Sequence, residues 1–261
     1  MNEVAPLGQE AKVAPWLGSV MLGPGRLAFT GAVGTTGLHA HAAVQLMVVT
    51  AGRVMLQDRH GELRAVRVAV IPSGACHAVH GSGATAACVY SDPGSSFGRA
   101  LQRRVGRGRR DHLDDWICAA DSLGLAERAL VHQHDAEQVL EGLLADAGPD
   151  ALCHPAVRRA MDRTQRLLGG PVRLQDVAEA VGLSPSRLGH LFAEELGVPF
   201  PVYVRWARLR RAMELVRVGA TLTQAAHGAG FTDSSHLTRV FREMFGLAPS
   251  TIVRSVRWDC A

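Results

Sequence analysis

Leu174-Gln175-Asp176-Val177-Ala178-Glu179-Ala180-Val181-Gly182-Leu183-Ser184-Pro185-Ser186-Arg187-Leu188 reads as two short helices meeting at a sharp turn. The first eight residues form an amphipathic helix, and Gly182 allows the turn. Ser184 stands where a side-chain oxygen can cap the next helix, and Pro185 follows at the first helical position, where its missing N–H does no harm. The second helix puts Leu188, Leu191, Phe192 and Leu196 on one apolar face and leaves Ser186, Arg187, Gly189, His190 and Glu194 outward. A shift of 49 residues superimposes a second copy: Ser184 falls on Asp233, Leu188 on Leu237, Phe192 on Phe241 and Gly197 on Gly246. The second leading helix is 222–229, its turn is Gly230-Phe231-Thr232-Asp233, and its trailing helix offers Ser234, Ser235, Thr238, Arg239 and Arg242 outward.

Paired helices with a tight turn serve many all-α domains. Two such units in tandem, each with hydrogen-bonding side chains outward, fit two recognition helices in major grooves on one face of a duplex, about 34 Å apart. Val202, Trp206, Leu209, Met213 and Val216 form one face of a connecting helix that would fix the separation. Its other face carries Arg205, Arg208 and Arg211, suited equally to DNA phosphates and to plain solvation.

The charge distribution agrees. Residues 151–261 carry 15 Arg and no Lys against 9 acids, whereas residues 1–150 carry 13 basic and 15 acidic residues. The basic third favours a polyanionic partner. Its excess is too small for a structural chromatin protein that binds by charge alone. Five cysteines without a repeated spacing (Cys76, Cys88, Cys118, Cys153, Cys260) argue against a disulfide framework and for a reducing cytoplasm. The start Met1-Asn2-Glu3 lacks the basic patch and apolar run of a secretory signal. No uncharged apolar stretch approaches the ~20 residues of a membrane span, so no membrane partner is expected.

In front of the helical third the texture differs. From Leu17 to Tyr90 the apolar residues fall in short Val-rich runs with glycine punctuation, such as Leu46-Met47-Val48-Val49, Val54-Met55-Leu56 and Val66 to Ile71, which read as antiparallel strands. Helical spacing begins near Asp111, with Leu113, Trp116 and Ile117, then Val139, Leu140, Leu143 and Leu144. Ala147-Gly148-Pro149-Asp150 breaks it. The dense arginine run Arg99, Arg103, Arg104, Arg107, Arg109 and Arg110 reads as a solvated loop.

The string Leu183-Ser184-Pro185-Ser186-Arg187-Leu188, with Leu191-Phe192, Gly197, Arg208-Leu209, Ala212, Gly230-Phe231, Ser235-His236-Leu237, Arg239-Val240-Phe241, Phe245-Gly246 and Pro249, resembles the DNA-binding domain of AraC/XylS-type transcriptional regulators over about Val157 to Ile252. The resemblance implies base readers at Ser186, Gly189 and His190 in the first recognition helix and at Ser234, Ser235, Thr238 and Arg239 in the second. Arg239 is the side chain able to grip guanine with two hydrogen bonds. Gly189 has no side chain and Ser186 is short, so Arg187 and His190 should dominate the first helix, and the second should carry more selectivity. The implied partner is double-stranded promoter DNA, with contact to RNA polymerase.

Gly37-Leu38-His39-Ala40-His41, followed by Gln45 and Gly52, resembles the first motif of the cupin barrel, and Ile71-Pro72-Ser73-Gly74-Ala75-Cys76-His77 the second. On a strand, residues 39, 41 and 45 share a face, and the resemblance sets His77 beside them. Three imidazoles there can hold a divalent metal such as Zn, Ni, Cu or Mn, although a metallocupin usually has a carboxylate where Gln45 stands. Equally, His39, His41, Gln45 and His77 can line the pocket of a small organic effector. Cys76 and His80 lie close by in sequence. The implied architecture is α+β and multidomain: a cupin-like antiparallel β-barrel over 1–110, a helical dimerisation segment over 111–147, a linker over 148–155, and an all-α domain with two helix-turn-helix units over 156–261. The expectation is a cytoplasmic, homodimeric, non-enzymatic regulator governed by an effector or metal. The alternative is a metal-dependent cupin enzyme fused to a DNA-binding module.

Overall fold

The computed structural model describes residues 16–106, 110–121, 153–253 and 255–259. The front half is a sheet whose strands are β1 (Leu17–Gly23), β2 (Arg26–Thr35), β3 (Val44–Ala51), β4 (Val54–Asp58), β5 (Leu63–Val66), β6 (Val68–Ile71) and β7 (His77–Ser91). The run expected from Val66 to Ile71 is divided at Arg67 between β5 and β6. The organising strand is β7. Along one edge it pairs with β2, from Arg26↔Ser91 to Thr35↔His80. Along the other it takes two strands end to end, β4 opposite 77–81 and β3 opposite 85–91. Val44 to Val49 of β3 are buried on both faces, which is why the strand from Leu46 to Val49 reads as an apolar run rather than an alternation.

The sheet does not close into the expected cupin barrel. Its order is β5-β4-β7-β2-β1 with one further strand outside β1, while β3 branches off β7 to pair with β6. The chain after α1 (Ser96–Arg104) forms a helix, α2 (Leu113–Asp121), which packs on β6. Leu113 and Trp116 are fully buried there, and the Leu113 N–H reaches the buried Asp58 carboxylate. Both side chains therefore pack against their own sheet and are not available to a dimer partner. Leu140, Leu143 and Leu144 lie outside the described residues. The front of the arginine run is helical rather than a loop. Arg99, Arg103 and Arg104 ride on α1, whose N-terminus is capped by Ser95 accepting from the Gly98 N–H, and Arg99 reaches the Gly94 carbonyl. Arg107 and Arg109 lie outside the described residues.

The rear half comprises α3 (Pro155–Leu167), α4 (Leu174–Ala180), α5 (Pro185–Leu196), α6 (Phe200–Arg217), α7 (Leu222–Gly228), α8 (Ser234–Phe245) and the short α9 (Pro249–Val253). The connecting helix α6 is more deeply set than a single apolar stripe implies. Tyr203, Val204, Trp206, Ala207 and Leu209 are all buried, covering most of its circumference, and both helix-turn-helix units pack around it. The segment 156–261 is also not all-α throughout. Val256–Asp259 form a strand, β8, which returns to the front sheet and pairs in parallel with β1, Gly18↔Val256 to Met21↔Asp259. The strand outside β1 thus comes from beyond the helical domain.

Candidate DNA-reading helices and sensor cluster

The two helix-turn-helix units are built by their caps. Gly182, at φ 74°, turns the chain out of α4, and Ser184 accepts from the Arg187 N–H at 3.2 Å to start α5. Gly230, at φ 82°, does the same after α7, and Asp233 accepts from the His236 N–H at 2.8 Å to start α8. That cap and the neighbouring Thr232 hold the Asp233 carboxyl below its ordinary range. Leading helices start at Leu174 and Leu222 but trailing helices at Pro185 and Ser234, so the second turn is one residue longer. Both trailing helices end at a left-handed glycine, Gly197 and Gly246.

On α5, Ser186, Arg187 and His190 are exposed, and His190 uses Nδ1 to donate to the Ser186 carbonyl, leaving Nε2 outward. On α8, Ser235 and Arg239 are exposed, while Ser234 and Thr238 are half-buried. The arginines of α6 are more engaged than a free phosphate clamp. Arg205 pairs with Glu243 of α8 at 2.8 Å. Arg208 donates to the Gly170 carbonyl at 2.8 Å and lies against Gly230, so it braces the second turn. Arg211 pairs with Glu214 at 3.4 Å.

In the sheet domain His39, His41 and His77 converge, one ring nitrogen of each lying within 4.8 Å of the others. They do so by a route other than shared strand parity. Residues 39 and 41 lie on an irregular segment that meets β7 at the isolated bridge His39↔His77, and of residues 39, 41 and 45 only Gln45 is on a strand, β3. Cys76 is half-buried beside the cluster, and His80 turns away from it to contact Gln57 at 3.2 Å.

The protonation pattern follows from the partners. Nδ1 of His39, His41 and His77 lies 2.9, 2.9 and 3.1 Å from the carbonyls of Gly37, Ala43 and Ala75. A carbonyl can only accept, so each ring carries its proton on Nδ1. Burial keeps all three neutral: His39 is pulled down to about 3 by burial and the neighbouring His41, His41 is lowered by burial, and His77 is lowered by burial with His39 and His41 adding to it. Each Nε2 is then a bare acceptor. The Gln45 amide oxygen position lies 3.0 Å from His41 Nε2 and 3.2 Å from His77 Nε2, while its nitrogen is buried without a partner. A half-turn of that amide resolves the mismatch. Its two N–H groups then donate to the two imidazoles; nearby, the buried Cys88 thiol is pushed up to about 12 by burial. The donor set suits a divalent ion in type. The amide occupies the space between two of the three rings, so a metal there would have to displace it from His41 and His77.

Sequence reasoning missed the link between this cluster and α8. The Gly37 N–H donates to the Gly246 carbonyl at 3.0 Å and the Ala40 N–H to the Glu243 carbonyl at 3.3 Å. These bonds dock the C-terminal end of the second trailing helix on the segment that carries His39 and His41. Behind them the rings of His41, Tyr90 and Phe245 stack edge-on, with centroids 5.2 and 5.4 Å apart in succession. A second tie joins α6 to the sheet, where Arg210 donates to the Gly23 carbonyl at 3.0 Å and lies 3.8 Å from buried Asp92.

Comparison with known proteins bears on the rear half directly. Residues 177–255 match the family described as "Helix-turn-helix domain". The chain is 38% identical over 80 residues to the uncharacterized HTH-type transcriptional regulator YpdC of Escherichia coli, covering 30% of this chain and 28% of that protein. It is 30% identical over 129 residues to the transcriptional activator RhrA of Rhizobium meliloti, covering 48% of this chain and 41% of the relative. The chain therefore spans less than half the length of these relatives. In fold it is similar to unsaturated fatty acid-bound ToxT of Vibrio cholerae, with a TM-score of 0.52 at 14% identity over 86% of this chain and 93% of ToxT. The rear half is a helix-turn-helix domain of the kind carried by named transcriptional regulators, and it is attached to a β-sheet domain in an α+β arrangement.

Proposed function

We propose that the protein is a sequence-specific, DNA-binding transcriptional regulator of the AraC type whose sheet domain takes a small organic effector. The observation that carries the DNA reading is the pair of capped trailing helices, α5 and α8, with Arg187, His190, Ser235 and Arg239 on their exposed faces. The match of 177–255 to a helix-turn-helix family and the regulators among its relatives support it. The same relatives weigh against a cupin enzyme, and so does a histidine cluster closed by an amide. The regulator acts as a cytoplasmic homodimer on promoter DNA and contacts RNA polymerase. Its dimer contact lies elsewhere than Leu113 and Trp116.

The docking of Gly37 and Ala40 on α8 supplies a route by which effector binding is felt by the DNA-reading half. An effector moves such an equilibrium only by binding one arrangement more tightly than the other. The ToxT structure, described as bound to an unsaturated fatty acid, supports an organic ligand in a protein of this fold. A divalent metal at His39, His41 and His77 is the second reading, favoured by their convergence.

The test is recovery and sequencing of genomic DNA fragments retained by the full chain, followed by a salt series on those fragments. Specific fragments should bind about three or more orders of magnitude more tightly than random DNA. Equal binding of all fragments at every salt concentration would refute site-specific regulation.

A further inference from the structure

The helix α3 carries a row of exposed arginines. Arg159, Arg163 and Arg166 are spaced i, i+4, i+7, which sets them on one side of the helix, while Ala156, Val157, Ala160 and Thr164 are buried. Among the described residues none of the three pairs with a carboxylate. The one acid of α3, Asp162, lines a pocket with Asp92 and Arg210 against the sheet domain. Like charges at these spacings repel and weaken a helix, so the row gains nothing for α3 itself. Packing sets its position. The helix lies against α4 and α5 of the first unit, and the chain just beyond it touches the second. There the Gly170 carbonyl accepts from Arg208 at 2.8 Å, and a Cβ on Gly230 would stand 3.1 Å from the Gly169 nitrogen. The Arg166 end of the row is thus the end nearer the turn that starts α8.

We infer that Arg159, Arg163 and Arg166 form a further DNA contact, which grips backbone phosphates beside the first unit and extends the footprint beyond the two reading helices. The inference rests on the regulator reading above and deepens it. The partner follows from the chemistry of the row, because guanidinium groups fork onto phosphate oxygens and these three offer only donors. The number of contacts follows from the spacing. Arg159 to Arg166 spans about 10 Å of helix axis, and one strand of a duplex presents a phosphate about every 3.4 Å of its own axis, so the row matches about three phosphates. Phosphate contacts position a protein without reading sequence. The row therefore adds affinity and fixes the seating of the first unit, whose own reader, α5, has no side chain at Gly189 and a short one at Ser186. Charge holds the unit that reads little.

The test compares the full chain with a triple variant, Arg159→Gln, Arg163→Gln and Arg166→Gln. A control triple, Arg53→Gln, Arg67→Gln and Arg103→Gln, removes the same charge from exposed positions of the sheet domain. Affinity is measured over a salt series, on recovered genomic fragments and on random DNA. Each lost phosphate contact lowers the slope of log affinity against log salt by about 0.9, so the α3 variant should lose about 2 to 3 units of slope. Its affinity should fall by the same factor on both kinds of DNA, and the control should keep the slope of the unsubstituted protein. An unchanged slope in the α3 variant, or an equal loss in both variants, overturns the contact. So does an unchanged slope with reduced transcription by RNA polymerase, which would assign the row to an acidic protein surface. A loss confined to the recovered fragments would make these arginines base readers and overturn the phosphate assignment. Single substitutions, each worth about 0.9 in slope, keep the test decisive where the triple variant fails to fold. Absence of selective binding by the unsubstituted protein would instead sink the regulator reading.

Discussion

Replacing Gly246 with alanine tests whether the second trailing helix is locked to the sensor segment. Gly246 ends α8 at φ 68°, so any side chain there pays for a left-handed backbone, about 1–2 kcal/mol. The added Cβ would also fall well inside contact distance of the Gly37 carbonyl oxygen and 2.8 Å from His39 Nδ1. The first of these is backbone and cannot swing aside. Overpacking of that kind adds typically 1–3 kcal/mol, for a total of about 2–5 kcal/mol. Gly182 supplies the control. It has the same left-handed conformation, φ 74°, but a Cβ there would meet nothing within 4 Å. Gly182→Ala should therefore cost only the backbone share, about 1–2 kcal/mol. The difference between the two variants isolates the docking contact. Chemical denaturation of both, with limited proteolysis to report separation of the halves, gives the measurement. If Gly246→Ala proves no more destabilising than Gly182→Ala, and its proteolysis pattern matches that of the unsubstituted protein, the Gly37–Gly246 contact does not hold the domains together.

Three other perturbations have definite outcomes. Arg239→Ala should cost about 1–3 kcal/mol of discrimination at one base position of the recovered operator, and more than His190→Ala does in a base-substitution scan; the opposite ranking would reverse the assignment of the stronger reader. Gln45→Glu replaces an amide that closes the histidine network with a metal-binding carboxylate, so it should take up Co(II) stoichiometrically, seen by visible absorption, where the unsubstituted protein does not; equal uptake by both would move the effector assignment to the metal. Acid should destabilise the sheet domain through the buried histidines. Their folded pKa values lie below the unfolded value near 6.5, and that of His39 at about 3, so the unfolded chain binds more protons between those limits. Stability is then full above about pH 6.5 and falls on acidification by up to about 1.4 kcal/mol per pH unit for each ring. A denaturation series from pH 7.5 to about pH 4.5 showing no greater slope than that of His39→Gln would remove His39 from that role.

What could be read from the sequence is what local chemistry decides. The two helix-turn-helix units were legible because each is set within a few residues: a cap oxygen at Ser184 or Asp233, a positive-φ glycine before it, and a period of apolar residues after it. The repeat also made unequal readers visible, since Gly189 and Arg239 differ in what they can offer a base. The histidine cluster was legible only as a set of residues. Strand parity did not assemble it, because 39 and 41 are not on a strand, and Gln45 read as a poor ligand is better described as a donor that satisfies two rings at once. The unclosed sheet was not legible, because closure depends on whether α2 or another strand meets β6, a contact that no local pattern encodes. Arg208 illustrates the same limit. Its spacing on α6 suits a phosphate, but packing turns it to the Gly170 carbonyl.

The return of β8 to β1 has a consequence for how the chain is made. Arg257 bonds the Ser19 hydroxyl across 238 residues of sequence, so the outer edge of the first strand stays unpaired until the whole helical domain has left the ribosome. Bare strand edges recruit other strands. The isolated sheet domain, cut anywhere before Val256, would carry that bare edge permanently, and a fragment meant to simplify the sensor would be the form most prone to self-association.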